Sequence, residues 1–373
     1  MSVPNPAHPR EITTSWLGEQ LGFPIRNVHT EVTSEDRGFT GVIAVVTYYP
    51  EEGPSSSLIA KFPMAARDTE SLVRKQAAVD EAAIRHHFLR SRHEIWTYEV
   101  LLPGSGISRP DLLCGITSEV SRTVILLLEH IRESRGGDVL AGCGVDDASE
   151  IVRELAKLHR HWWNLAPPTP QGRHWYRLDI YLGIEDRYVE ILEPFLAFYG
   201  SRLPEELVAW MRTLVSSLPG VVDGLRRAPH TVIHADLHLD NILFRTSDGT
   251  PVVLDWQSAA YGPAVLDLAL FLSNALTPTA FTESIDEILA IWLELVDPDR
   301  TYGVERLQQD FAGALTLLWC GGLRWLVNAA RENVQGRERA MVDELLDNGR
   351  FINALTNLAI PRIRQGTYPG GYM

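Results

Sequence analysis

The stretch His234-Ala235-Asp236-Leu237-His238-Leu239-Asp240-Asn241, followed further on by Val252-Val253-Leu254-Asp255-Trp256, decides how the rest of the chain reads. Between them, the apolar residues Ile242 to Phe244 and Val252 to Leu254 flank Thr246-Ser247-Asp248-Gly249-Thr250. That pattern predicts strand, turn, strand. A hairpin symmetric about Asp248 sets Asn241 opposite Asp255 across the ladder. An amide oxygen and a carboxylate then meet at one end, and both are donors that a hard divalent cation accepts. Asp236 follows the short apolar run Thr231 to Ile233, in a tight loop where a carboxylate can accept a hydroxyl proton as that oxygen attacks phosphorus. Each residue also has a local alternative: an Asx-type loop cap for Asp236, a turn residue for Asn241, and a cap on the next turn for Asp255.

Working outward, residues 28–63 alternate as strands do: VHTEVTS, GVIAVVTYY and SLIAKF, separated by EDRG and PEEGPSSS. Three such runs predict an antiparallel meander. Before it, Ser15 and the following WLGEQLG, ending at Gly22 just ahead of Pro24, predict a short capped helix outside the sheet. Residues 68–100 lack proline and glycine and carry apolar residues at helical intervals, so they predict one or two helices. Two further strands are expected near residues 112–116 and 124–128.

Beyond Glu129 the pattern changes. A glycine-rich segment (Gly136, Gly137, Gly142, Gly144) leads to DASEIVRELAKLHRHWWN at 147–164, which predicts a helix with one buried side. Further helical stretches lie on both sides of the hairpin, at least three of them within residues 264–360. The expected architecture is α+β, a β-rich region at 1–128 followed by a mainly helical region at 129–373.

Lys61 sits near the end of the apolar strand SLIAKF, where an ammonium requires a partner or a phosphate unless it snorkels to water. Three glutamates on the following helix, Glu81, Glu94 and Glu99, compete for it. Gly38 and Gly41, in RGFTG, lie between the first strands, where backbone amides can approach phosphates or form an ordinary hairpin turn.

Composition narrows the function classes. The 373 residues are 45% hydrophobic, enough for one large core or two unequal ones. Net charge is −14, from 34 basic and 48 acidic residues, which argues against a nucleic-acid or anionic-membrane surface and tolerates a cationic or neutral substrate. The start, MSVPNPAHPREITTSW, predicts no secretory signal. Three scattered cysteines, Cys114, Cys143 and Cys320, suit a reducing cytoplasm and form no metal-ligand spacing.

With these residues in view, the chain resembles the protein-kinase-like small-molecule phosphotransferases, the superfamily of aminoglycoside phosphotransferases and choline kinases. The segments GFTG, SLIAKFP, EIWTYEVL, LLLEHI, GGD, LAKLHRHWW, HADLHLDNILF, VVLDWQ and LDLALFLS carry the resemblance in family order over residues 38–273. They are most similar to the ecdysteroid-kinase-like branch. The resemblance implies a bilobal protein-kinase-like fold, a kinase using ATP and Mg2+, and a hydroxylated small molecule as acceptor. It implies Asp236 as catalytic base and Asn241 and Asp255 as magnesium ligands. Lys61 would hold the α and β phosphates, with Glu94 positioning it, while Gly38 and Gly41 would approach them. Glu129 to Ile131 would form the hinge that meets adenine. His234 and Asp267 would support the loop structurally, Asp267 as a buried carboxylate. Ala235 departs from the commoner His-Gly-Asp form.

Two other functions fit parts of the pattern. His234, Asp236 and His238, alternating on one strand face, would bind a transition metal for hydrolysis. A nucleotide-binding pseudokinase would keep the same residues without turnover. The acceptor is undetermined: Trp292, Trp319 and Trp325 are candidate pocket walls or core, and Asp286, Glu287 and Glu294 a candidate cation-attracting face or a solvated one.

Overall fold

The alternation of residues 28–63 is realised as three antiparallel strands. The computed structural model describes residues 4–33, 41–64, 81–168, 183–299 and 301–364. In it the chain divides into two compact units, one of residues 1–103, 109–134 and 254–257, the other of the remainder.

In the first unit, β1 (Ile25–Val32), β2 (Val42–Pro50) and β3 (Ser56–Phe62) pair in chain order. Strands β4 (Leu112–Ser118) and β5 (Thr123–Glu129) complete an antiparallel sheet of order β1-β2-β3-β5-β4. Leu58, Ala60 and Phe62 of β3 and Ile125 and Leu127 of β5 pack with Trp16 and Leu17 of helix α1 (Thr14–Leu21). The cap of α1 is Thr13, whose Oγ1 accepts from the Trp16 amide at 3.2 Å, so Ser15 lies inside the helix that it was expected to start. Trp16 and Leu17 are 1% and 0% exposed, each worth about 2–3 kcal/mol of buried apolar surface.

Because strand side chains alternate, Lys61 and its cross-strand partner Leu126 point to the other face. That face carries α2 (Glu81–Trp96), which continues through a π-helical turn, Thr97–Leu101. Gly115 pairs with Leu126, and a Cβ there would lie 2.6 Å from the Ile95 side chain, so its lack of a side chain lets α2 approach. Gly41 is constrained more strongly. It has φ +76°, and a Cβ would fall 2.4 Å from the Pro63 Cα and 2.5 Å from the Phe62 carbonyl oxygen. Gly38 lies outside the described residues.

The second unit follows β6 (Ser134–Gly136). Helices α3 (Val145–His161), α4 (Glu185–Tyr199) and α5 (Glu205–Arg226) precede β7 (His230–Ile233). The hairpin β8 (Ile242–Arg245) and β9 (Pro251–Val253) comes next, then β10 (Ala260–Pro263), which pairs antiparallel with β7. Helices α6 (Val265–Ala275), α7 (Pro278–Val296) and α8 (Val304–Glu332) form most of the core, and α9 (Gly336–Asp343), α10 (Arg350–Ala354) and α11 (Ile360–Arg364) close the described chain. Among the described residues no helix is long and apolar enough to cross a membrane. Trp292 and Trp319 are 0% and 2% exposed and belong to the core.

The hairpin corrects the expected register by one residue. Ile242 pairs with Val253, where symmetry about Asp248 required Leu254. The reason is the turn: the Arg245 amide donates to the Thr250 carbonyl and the Gly249 amide to the Arg245 carbonyl, with Gly249 at φ +76°. A loop of Thr246 to Gly249 centres between Ser247 and Asp248. Asn241 therefore sits in the 3-10 turn Leu239–Asn241 ahead of β8, and Asp255 lies past β9 at φ +59°. They are not a cross-strand pair.

Candidate functional site

Lys61 is the centre of a charged cluster within the first unit. Its Nζ lies 2.9 and 2.7 Å from the two carboxylate oxygens of Glu94, and 2.7 Å from Oδ1 of Asp255. Of the three competing glutamates, α2 thus presents Glu94. Gln257 Nε2 donates to the other Asp255 oxygen at 2.9 Å, a contact that the sequence did not suggest although Gln257 stands only two positions on. Burial disfavours the Lys61 charge, yet Asp255 and Glu94 outweigh it and hold its pKa above the ordinary value. Burial pushes Glu94 up to about 7, against the opposing pull of Lys61 and with help from Asp255. The two shifts are consistent, since one ammonium shared by two carboxylates leaves an excess of negative charge. A cluster of that kind, offering carboxylate oxygen, fits a hard cation.

The second cluster lies within the helical unit and is built from a loop. Residues 234–238 leave β7 without continuing as a strand. Ala235 adopts φ +60°, a left-handed conformation that costs a residue with a Cβ roughly 1–2 kcal/mol. Two backbone bonds offset that cost. Asp267, fully buried in the first turn of α6, accepts from the His234 amide at 2.6 Å and from the Ala235 amide at 2.8 Å. The Asp236 amide donates to His234 Nδ1 at 3.3 Å. Asn241 Nδ2 donates to the Asp236 carbonyl at 2.9 Å and lies 3.2 Å from His238 Nε2, which leaves Oδ1 as the amide end suited to a cation.

The glycine-rich segment buttresses this loop from the same unit. A Cβ on Gly137 would fall 2.3 Å from the Leu239 carbonyl oxygen, so only glycine allows the approach. Asp240 accepts from the Val139 amide at 2.9 Å and from Arg337 Nη2 at 2.8 Å. Arg337 also reaches Asp138 and holds its carboxyl below the usual range. Asp240 is thereby a loop anchor.

Residues 136–307 match the model of the phosphotransferase enzyme family. They form a phosphotransferase-family domain. The 4-hydroxytryptamine kinase of Psilocybe cubensis is 32% identical over 104 residues, covering 26% of this chain and 26% of that enzyme; the likeness thus spans about a quarter of its length. In structure, the ethanolamine kinase of Plasmodium vivax superposes with a TM-score of 0.50 at 11% identity, over 91% of this chain and 83% of that one. The GDP complex of wild-type aminoglycoside 2'-phosphotransferase-IIIa gives 0.50 at 13% identity, over 90% and 97%. These similarities show a protein-kinase-like fold, with a β-sheet first region and a mainly helical second.

The phosphotransferase-family domain contains Asp236, Asn241, Asp255 and Asp267, while Lys61 and Glu94 precede it. Glu129 ends β5 with its amide bonded to the Asp111 carbonyl at 2.8 Å, and Ile131 is buried. The hydrolase alternative loses the strand face on which it was read. His234, Asp236 and His238 occupy a loop and not one strand face, and among the described residues no three His, Cys, Asp or Glu side chains gather as a metal site.

Proposed function

We propose that the chain is an ATP-dependent kinase that moves the γ-phosphoryl group to a hydroxyl of a small organic molecule. The observation that carries this reading is the Lys61 ammonium held at 2.7 Å by both Glu94 and Asp255, in a chain whose phosphotransferase-family domain supplies the Asp236 loop. Lys61 is assigned to the α and β phosphates, oriented by Glu94. Backbone groups of Glu129 to Ile131 are assigned to adenine. Asn241 and Asp255 would hold Mg2+, which supplies neutralisation of phosphate charge when bound. The acceptor oxygen attacks the γ-phosphorus as its proton passes to an Asp236 carboxylate oxygen. The bond from that phosphorus to the β–γ bridging oxygen breaks, and ADP leaves with the electron pair.

For the acceptor, the printed activities of the similar proteins all concern hydroxylated amines, and the net charge of −14 suits a cation. The resemblance to the ecdysteroid-kinase-like branch points to a bulkier apolar alcohol. A panel of both kinds, incubated with ATP or GTP and followed by nucleotide consumption and product mass, tests the assignment. One acceptor should gain a phosphoryl group, and Asp236→Asn should lower turnover by on the order of a hundredfold or more. Full activity in that variant sinks Asp236 as base. Nucleotide binding with no transfer to any acceptor supports the pseudokinase instead.

A further inference from the structure

Asp267 is itself held from behind. His159 on α3 places Nε2 3.4 Å from Asp267 Oδ2, and Trp292 on α7 donates its indole N–H to His159 Nδ1 at 3.1 Å. All three side chains are 0% exposed. We propose that Trp292 is a positioning residue for the Asp236 loop, acting through the tautomer of His159.

An indole N–H only donates, so Nδ1 must be the acceptor nitrogen and the ring proton resides on Nε2, facing Asp267. The opposite tautomer would set two N–H groups against each other at 3.1 Å and turn a lone pair toward the carboxylate. Trp292 is kept in place by Trp163, whose ring meets it edge-on with centroids 5.6 Å apart. The backbone of His159 is also tied forward, since its carbonyl accepts from Thr231 Oγ1 at 2.9 Å, and Thr231 belongs to the strand that leads into the loop. The oxygen facing His159 is the one that receives the His234 amide. A donor on that oxygen fixes the rotation of the carboxylate, and the carboxylate fixes the amides flanking the strained Ala235. Nothing in the sequence pointed to this chain, because its links come from three separate helices.

The test replaces Trp292 with benzothienylalanine, which keeps the ring shape and removes the N–H, with Trp292→Phe as a second variant made by ordinary mutagenesis. In the unmodified protein, nitrogen-15 spectra of labelled histidine should show the His159 proton on Nε2. In the variants, exchange of the His234 and Ala235 amides should quicken about tenfold, what one buried hydrogen bond is worth, while amides within α8 keep their rates. A proton on Nδ1 in the unmodified protein overturns the proposal. So do unchanged loop exchange or equal acceleration throughout the chain, the mark of general destabilisation. A kinetic arm rests on the kinase reading: turnover should fall several-fold with the KM for nucleotide unchanged. The spectroscopic and exchange results stand even if no acceptor is found, so the two readings fail separately.

Discussion

The two clusters hold their key aspartates by opposite means. Asp255, in the first unit, is gripped by a side-chain cation and a side-chain amide, Lys61 and Gln257, and remains 28% exposed. Asp267, in the second, is gripped by two backbone amides and a buried imidazole and is not exposed at all. Side chains rotate between partners, whereas backbone amides move only if the chain moves. On the proposed kinase reading, the first arrangement would exchange partners when phosphate and metal bind, and the second would serve as a fixed support. On that reading, the bonds that would break in a catalytic cycle are ionic and mobile, and those that would persist are made to the backbone.

The hardest way to break this contrast is Asp267→Asn. One amide oxygen can still accept, but the new NH2 opposes the other backbone N–H, and bonds to a charged acceptor are worth about 1.5–3 kcal/mol each. Thermal unfolding should drop by roughly 5 °C or more, and exchange at His234 and Ala235 should rise with it. An unchanged melting temperature removes Asp267 as the support.

A smaller effect is expected from Glu94→Gln. Losing the ionic hold on Lys61 should reduce kcat/KM for nucleotide about tenfold to a hundredfold, with little change in loop exchange. Its pH behaviour sharpens the contrast. With Glu94 raised from an ordinary 4.5 to about 7, the native protein keeps a proton that the unfolded chain has released, so stability should fall as pH rises between those values. Activity should rise over the same limb, because only ionised Glu94 pairs with Lys61. Both slopes near pH 7 should vanish in Glu94→Gln; if they persist, another group titrates there.

The smallest change is Ala235→Gly. Relief of left-handed strain, roughly 1–2 kcal/mol, is partly cancelled by the greater freedom of glycine in the unfolded chain. Denaturant midpoints should shift by less than the Asp267→Asn effect, while exchange at residue 235 increases. A clear loss of stability would mean that Ala235 carries no left-handed strain to relieve.

Much of this was legible beforehand. The alternation of residues 28–63 and the helical intervals beyond residue 129 predicted the element types, because one buried face imposes a period of two or 3.6 whatever surrounds it. Lys61 stood out as a charge in an apolar strand, and Asp236, Asn241 and Asp255 by spacing. The hairpin register was misread by one residue, because Thr250 and Gly249 close a four-residue loop through backbone bonds that residue types alone left ambiguous. The corresponding facing of Asn241 and Asp255 was lost with it. Gly137, His159 and Gln257 did not stand out as site residues and Trp292 read only as pocket wall or core, since a glycine, a buried histidine, an amide and a core tryptophan carry no local signal of what they touch.

By itself, the sequence determined which chemical groups are present and which strand face or helix side they occupy, since chain periodicity depends only on neighbours in sequence. The tertiary structure alone decided the pairings. Lys61 meets Glu94 across 33 positions and Asp255 across 194, His159 meets Asp267 across 108, and Trp292 meets His159 across 133. Contacts over such separations are set by how helices and sheets pack, and packing selects among residues that look equivalent along the chain.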